Sequence, residues 1–328
     1  MEIEEFIAQW HDANDCVPVY TSGSTGKPKL MMAEKARMEA SARMTCKALG
    51  LKSGDKALVC LPMDYIAGKM MVVRSLVCGL DMICVPPSGN PLQTVDCGID
   101  FAAMVPMQVY NSLSDADQCR KIKNIKHILI GGGAIDKDME AVLQTFPNAV
   151  WSSYGMTETL SHIALRRIDG NGYSQWYEPL PGVGISLAGN GCLVIDAPLV
   201  CPQTLHTHDI AVIDESAGRK RFRILGRLDN VICSGGVKIQ IEDVEMVLAS
   251  HLSKPFIVTK RPSKKFGEEV VLLTEDMDTD GVAATCRSVL PHYWQPKAVV
   301  HVGAVPTTAT GKPARAEAAR LALRSQNL

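Results

Sequence analysis

Short apolar runs alternate with helical patterns between about residues 30 and 160, and this alternation constrains the chain more than any other feature. Residues 32–49 carry Met38, Ala42 and Leu49 at helical spacing, with Gly50 as a stop. ALVCLP (57–62), MICVPP (82–87) and FAAMVP (101–106) follow, each ended by proline. Pro106 can open the next helix, whose predicted apolar face is Met107, Tyr110 and Leu113. HILI (127–130) then runs into Gly131-Gly132-Gly133, with a helix expected near 136–145. Continuously apolar strands separated by helices predict a parallel sheet covered on both faces.

The pattern changes after residue 180. Helical spacing vanishes, and β segments appear at 192–195, 210–213 and 221–225. After 228 a smaller mixed pattern returns: a helix at 241–252, strands FIVT and VVLLT, a helix near 280–290, a strand at 297–302 and an Ala-rich helix from 313. The expected fold is α/β. A large N-terminal domain, 1–228, holds mostly parallel sheets plus a small β subdomain, and a small α+β C-terminal domain covers 229–328. A length of 328 residues has room for both.

Composition narrows the function classes. Lys plus Arg is 34 and Asp plus Glu is 35, a net charge of -1, which argues against a nucleic-acid coat. The stretch 69–87 is apolar but holds Lys69, Arg74 and Asp81, too many charges for a lipid-facing span. The N-terminus is acidic and has no apolar segment of the kind that signals secretion. Eleven scattered cysteines, with no C-x-x-C, suit a reducing compartment and thiols packed as small apolar groups, so a cytoplasmic location is expected. His206 and His208 have no Cys or carboxylate at zinc-ligand spacing.

Four segments carry chemistry. In YTSGSTGKPK (20–29), Gly23 and Gly26 let the backbone turn, while Thr21, Ser22, Ser24 and Thr25 offer hydroxyls and Lys27 and Lys29 add charge. A helix predicted to start just after it would aim its positive end at an anion, so the sum is a phosphate cradle. It is not the G-x-x-x-x-G-K-[ST] loop, because its glycines are too close and Pro28 stands where Ser or Thr is needed. In SSYGMTET (152–159), a ring, a glycine turn and hydroxyls surround Glu158, a carboxylate that can hold Mg²⁺ against phosphates. GRLDNVICSGGVKI (226–239) combines a polar turn with Gly235-Gly236, which permits close approach to a ligand. PTTATGKPAR (306–315) places Lys312 in a Gly/Thr loop before the last helix. Taken singly, each could be solvated loop.

Their order is informative. With Asp209 in the β region, the chain resembles the adenylate-forming superfamily of acyl- and aryl-CoA synthetases, luciferases and adenylation domains from residue 20 to 315. DNVICSGG (229–236) and LPMDYIAG (61–68) look most like the 2-succinylbenzoate–CoA ligases of menaquinone biosynthesis. The resemblance implies an ATP- and Mg²⁺-dependent acid–thiol ligase with coenzyme A as a substrate. Thr21, Ser22, Gly23, Ser24, Thr25, Gly26 and Lys27 would hold the β- and γ-phosphates of ATP. Gly131, Gly132, Gly133 and Ala134, with Ser153, Tyr154 and Gly155, would flank the adenine, Tyr154 stacked on it. Thr157 would touch the α-phosphate, Glu158 would bind Mg²⁺, and Asp209 with Arg227 would meet the ribose. Asp229 matches the hinge of a mobile C-terminal domain, and Lys312 the lysine that bridges carboxylate and α-phosphate. Ser234, Gly235 and Gly236 would line the pantetheine path. Tyr65, Ile66 and Gly68 match a loop bordering the acyl pocket, where Lys69 or Arg74 could meet a second carboxylate.

Two other readings share these residues. An adenylating enzyme could load a carrier protein rather than free CoA, and a non-catalytic relative could bind nucleotide without turnover. The intact Lys312, Glu158 and Asp209 oppose the second. In the superfamily the phosphate loop lies deep in the chain, whereas here it starts at residue 20. The front half is therefore expected to be shortened, and a homodimer would cover a sheet left open by that shortening. The partners expected are ATP, CoA and a small carboxylic acid, with no nucleic acid and no membrane span.

Overall fold

The computed structural model describes residues 1–20, 30–216, 218–308 and 311–325. The chain begins with α1 (Ile3–Trp10), β1 (Cys16–Tyr20), β2 (Leu30–Glu34) and α2 (Lys35–Leu49). It continues through β3 (Lys56–Val59), α3 (Ile66–Cys78), β4 (Asp81–Cys84), β5 (Phe101–Met104), α4 (Pro106–Ser114), α5 (Ala116–Ile122), β6 (His127–Ile130), α6 (Lys137–Leu143) and β7 (Ala149–Gly155). Strands β8 (His162–Arg167), β9 (Glu178–Pro179), β10 (Gly184–Leu187), β11 (Cys192–Asp196), β12 (Leu205–Asp214) and β13 (Arg221–Arg227) come next. Last are β14 (Val231–Ser234), β15 (Val237–Gln240), α7 (Ile241–Leu248), β16 (Phe256–Ser263), β17 (Gly267–Thr274), α8 (Thr279–Val289), β18 (Ala298–His301) and α9 (Arg315–Arg324).

Among the described residues the largest sheet has the order β4-β3-β5-β6-β7-β8-β9. Strands β3 to β7 run parallel, and β8 and β9 are antiparallel additions. Every residue of β5 is buried, which is why the run FAAM is apolar throughout rather than alternating. The core gathers Phe6, Met38, Leu49, Met70, Phe101, Ile128 and Val150. The β subdomain is an antiparallel sheet, β10-β11-β12-β13, packed on Ile163, Ile185, Leu193 and Phe222.

A 3₁₀ turn at Leu228–Asn230 leads into a sheet of order β15-β14-β17-β16, with β18 parallel to β17. Successive residues of β16 and β17 serve opposite faces. Val258, Val270 and Leu272 join α7 and α8, while Ile257, Val271 and Leu273 join Ala318 and Ala322 of α9. No strand pairing among the described residues crosses the turn at 228–230.

Three expectations need correction. The helix predicted over 32–49 begins only at Lys35, because Leu30–Glu34 pairs antiparallel with Cys16–Tyr20. The segment 20–29 therefore joins two strands, and no helix start stands directly behind it. The face predicted for α4 is also wrong: Met107 and Tyr110 are exposed, and Gln108, Val109 and Ser112 are buried. Gln108 is drawn inward by its amide, which donates to the Ser88 carbonyl (2.9 Å) and accepts from the Val105 N–H (3.1 Å). Several predicted strands also end early: 57–62, 82–87 and 101–106 stop at Val59, Cys84 and Met104, ahead of their prolines.

Candidate functional site

The parallel strands β5, β6 and β7 end together, and the crevice beyond such carboxyl ends is where open α/β sheets take ligands. Ser153, at the end of β7, donates to the Ile130 carbonyl (3.1 Å). A side chain on Gly131 would overlap the Ser153 hydroxyl, so Gly131 lies directly against β7, while Gly132 and Gly133 face Val105 and Pro106. At Gly155 the neighbouring Ser161 backbone leaves no room for a Cβ. The chain then turns through a 3₁₀ segment, Thr157–Thr159, which leaves Glu158 exposed. Among the described residues its carboxylate forms no ion pair, so it is free to meet a cation. Leu160 follows at φ 62°, a left-handed conformation unusual for a branched side chain. The Thr159 hydroxyl, donating to the Ser161 carbonyl (2.7 Å), holds that turn closed.

Asp209, on β12, is the best-held carboxylate of the region. It is buried, its Oδ2 accepts from Tyr154 Oη (2.6 Å) and its Oδ1 from the Arg227 guanidinium (3.0 Å). Burial and the neighbouring Asp209 charge both push the Tyr154 hydroxyl well above its ordinary pKa, so it stays protonated as the donor. The Tyr154 ring sits edge-on to Phe222 (5.1 Å between centroids) and 5.8 Å from Tyr177. Arg227 also reaches Asp229 (3.0 Å), which in turn accepts from His208 (2.8 Å). Burial would raise the Asp229 pKa, but hydrogen bonds from His208 and Arg227 outweigh it and hold the carboxyl below its ordinary value. Tyr177, Phe222 and His208 escape sequence reading, because nothing local marks a residue that meets Tyr154 or Asp229 only through β-sheet pairing.

The last loop brings Lys312 within electrostatic reach of Arg227. Its backbone is pinned to Thr308, whose hydroxyl accepts from the Lys312 N–H (3.1 Å). The side chain keeps an exposed surface, yet crowding by protein and then the charge of Arg227 lower the ammonium's pKa. Tyr154, Asp209 and Arg227 come from β7, β12 and β13, Asp229 from the turn at 228–230 and Lys312 from the loop before α9. Gly235 (φ 57°) and Gly236 (φ 84°) form the two-residue turn between β14 and β15, where positive φ at both positions requires glycine. Ser234 beside them is buried.

In the first turn of α3, Gly68 abuts the Leu61 and Pro62 carbonyls so closely that no side chain fits. Tyr65 and Ile66 open the helix. Lys69 does not face a ligand. Its ammonium is buried, donates to the Met63 carbonyl (2.6 Å) and lies over the Phe6 ring, which makes it a clamp on the loop. Asp64 pairs with the terminal amino group (3.3 Å). Arg74, one turn further on, is buried and has no ion pair among the described residues. The seven residues expected to cradle phosphates, Thr21 to Lys27, lie outside the described residues.

All eleven cysteines are unpaired. Among the described residues no helix is long and apolar enough to cross a membrane, and no group of three or more His, Cys, Asp or Glu side chains could hold a metal. A cation at Glu158 would complete its shell from phosphate oxygens and water, the mode Mg²⁺ favours.

A fold with this crevice and this set of charged residues defines a nucleotide-handling enzyme. The chain belongs to the AMP-binding enzyme family, which matches residues 4–204. It is 26% identical to the 2-succinylbenzoate–CoA ligase of Listeria monocytogenes, over 94% of this chain and 70% of that protein. The Escherichia coli K12 ligase of the same name is 28% identical over 88% of this chain and 65% of its own length. Among solved structures, an acyl-CoA synthetase (AMP-forming)/AMP-acid ligase II-like protein from Dyadobacter fermentans is 35% identical, with a TM-score of 0.65 over 94% of this chain and 90% of that one. The o-succinylbenzoate–CoA synthetase of Bacillus subtilis, in complex with ATP and magnesium ion, shares the fold at a TM-score of 0.78 and 23% identity, over 92% and 69% of the two chains.

Proposed function

We propose that this protein is an ATP- and Mg²⁺-dependent acid–CoA ligase whose acid is 2-succinylbenzoate. One observation supports the reading: Asp209 is held by Tyr154 (2.6 Å) and Arg227 (3.0 Å), and Lys312, from the last loop, lies within electrostatic reach of Arg227. Asp209 suits a ribose diol, because it is a fixed acceptor beside a cation. Tyr154 and the run Gly131 to Ala134 flank the adenine, and Thr157 touches the α-phosphate. A Mg²⁺ ion on Glu158 would offset phosphate charge.

In the first half-reaction a substrate carboxylate oxygen attacks the α-phosphorus, and the bond to the β-phosphate breaks, releasing pyrophosphate. Two anions meet and negative charge spreads over the phosphoryl oxygens, so a positioned cation does most of the catalysis. Lys312 supplies it. In the second, the CoA thiolate attacks the acyl carbonyl and AMP leaves. We assign the division between the two domains to 228–229, with Asp229 as hinge. The C-terminal domain then turns to withdraw Lys312 and bring in Ser234, Gly235 and Gly236. The choice of acid rests on Arg74, a buried guanidinium without a carboxylate partner among the described residues, which suits a substrate that keeps one carboxylate after the other is activated.

The unpaired cysteines support a cytoplasmic setting. A homodimer is the expected assembly, and sedimentation showing only monomer would remove it. The direct test is a screen of carboxylic acids for pyrophosphate release and thioester formation, with CoA and a carrier protein compared as acceptors. 2-Succinylbenzoate with CoA should lead. Pyrophosphate release with no thioester would replace the ligase by a bare adenylating enzyme.

A further inference from the structure

Arg74 is buried, but its own chain leaves the guanidinium underused. Among the described residues one terminal nitrogen has Met71 Sδ (3.7 Å) as its hydrogen-bond partner, the other donates to Ser161 Oγ, and Nε has no acceptor. Burial pushes its pKa down to about 10, still charged at neutral pH.

Behind Ser161 the hydrogen bonding continues inward. Ser161 Oγ lies 3.2 Å from His162 Nδ1, His162 Nε2 lies 3.1 Å from Thr45 Oγ1, and Thr45 Oγ1 lies 3.1 Å from the Ser41 carbonyl. Thr45 and His162 are buried. One placement of protons gives every donor an acceptor. Arg74 donates to Ser161, Ser161 to His162 Nδ1, His162 Nε2–H to Thr45, and Thr45 to the Ser41 carbonyl. This assignment follows from the network. It requires a neutral His162, and burial followed by the Arg74 charge keeps the ring neutral by lowering its pKa well below the ordinary value. It also turns the Ser161 proton away from Arg74, so that a lone pair always faces the guanidinium.

We infer that Thr45, His162 and Ser161 form a positioning chain that holds the Arg74 guanidinium ready for the second carboxylate of the acid, and so set a preference for dianionic acids. The inference rests on the reading of the acid given above. The chain runs from α2 through the start of β8 to α3, so three elements fix one side chain. A guanidinium fixed before binding loses less freedom when the anion arrives, which raises affinity without a new contact.

The test compares 2-succinylbenzoate with two monoacids, each lacking one of its carboxylates: 4-oxo-4-phenylbutanoate and 2-butanoylbenzoate. Each monoacid is measured as substrate, or as competitive inhibitor where it is not turned over. Thr45→Val keeps shape and deletes the hydroxyl, Thr45→Ser restores it, and Ser161→Ala removes the acceptor next to Arg74. Thr45→Val and Ser161→Ala should lower the preference for the dianion roughly tenfold, the order expected of one hydrogen bond to a charged group. The loss should appear in KM rather than kcat, and Thr45→Ser should behave as wild type. Arg74→Met serves as the reference. If it lowers the preference while Thr45→Val and Ser161→Ala do not, the positioning chain is overturned and the dianionic acid stands. If Arg74→Met itself leaves the preference unchanged, the reading of the acid fails. Equal losses on all three acids would show a merely structural chain and also overturn the inference.

Discussion

Tyr154 Oη donates to Asp209 Oδ2 at 2.6 Å, so a tyrosine from the large sheet orients a carboxylate of the β subdomain before any ligand arrives. Tyr154→Phe keeps the ring against Phe222 and Tyr177 and leaves Asp209 to Arg227 alone. The expected cost is about 1.5–3 kcal/mol of stability, the net worth of one hydrogen bond to a charged group, with ATP still bound. Asp209→Ala should do more, because it strands the tyrosine hydroxyl and half of Arg227's partners. Its ATP KM should rise by at least about tenfold, measured by pyrophosphate release at saturating acid.

The Lys312 ammonium has a lowered pKa, with partial desolvation as the larger cause and Arg227 as the second. A lowered pKa means that the charged form is lost sooner as pH rises. The alkaline limb of adenylation should therefore fall below the ordinary lysine value of 10.5. Arg227→Gln removes the repelling charge and should move that limb upward in a pH–rate profile taken at saturating ATP. A downward movement would show that Arg227 does not act on the lysine.

His162 predicts an acid-side stability loss. The native ring resists protonation, and the unfolded one accepts a proton near 6.5. Below that pH the unfolded state binds the extra proton, so stability falls by up to about 1.4 kcal/mol per pH unit from this residue alone. Above it the contribution is complete. Denaturant melts at pH 7 and pH 5 should show a larger drop for wild type than for His162→Gln. Equal drops would mean that the buried ring already carries a proton.

The turn residue Gly236 has φ 84°, so any side chain there is strained, and on the proposed pantetheine path it would also stand in the way. Gly236→Val should lose thioester formation from supplied acyl-adenylate while keeping adenylation. If adenylation falls instead, the hairpin serves the first half-reaction and the two-conformation account fails.

The parallel sheet was legible because strands buried on both faces leave unbroken apolar runs, as FAAM and HILI do. Asp209, Arg227 and Lys312 were legible through motifs that stand in a fixed order. The orientation of α4 was not, because Gln108 is buried by three hydrogen bonds that no periodicity records. Lys69 and Arg74 look alike as basic residues on an apolar helix. Only packing shows that one clamps a carbonyl and the other lacks an anion. The Thr45–His162–Ser161 chain joins positions 117 residues apart and could not be read from spacing.

The central claim is that one lysine drives carboxylate activation on this chain. Exchange of labelled pyrophosphate into ATP, driven by 2-succinylbenzoate and Mg²⁺, tests it most directly. The wild type should exchange, and Lys312→Ala should lose ~10²–10³ of that rate, as for one removed transition-state donor, while still forming thioester from supplied acyl-adenylate. No exchange with any carboxylic acid, or an undiminished rate in Lys312→Ala, would contradict the account.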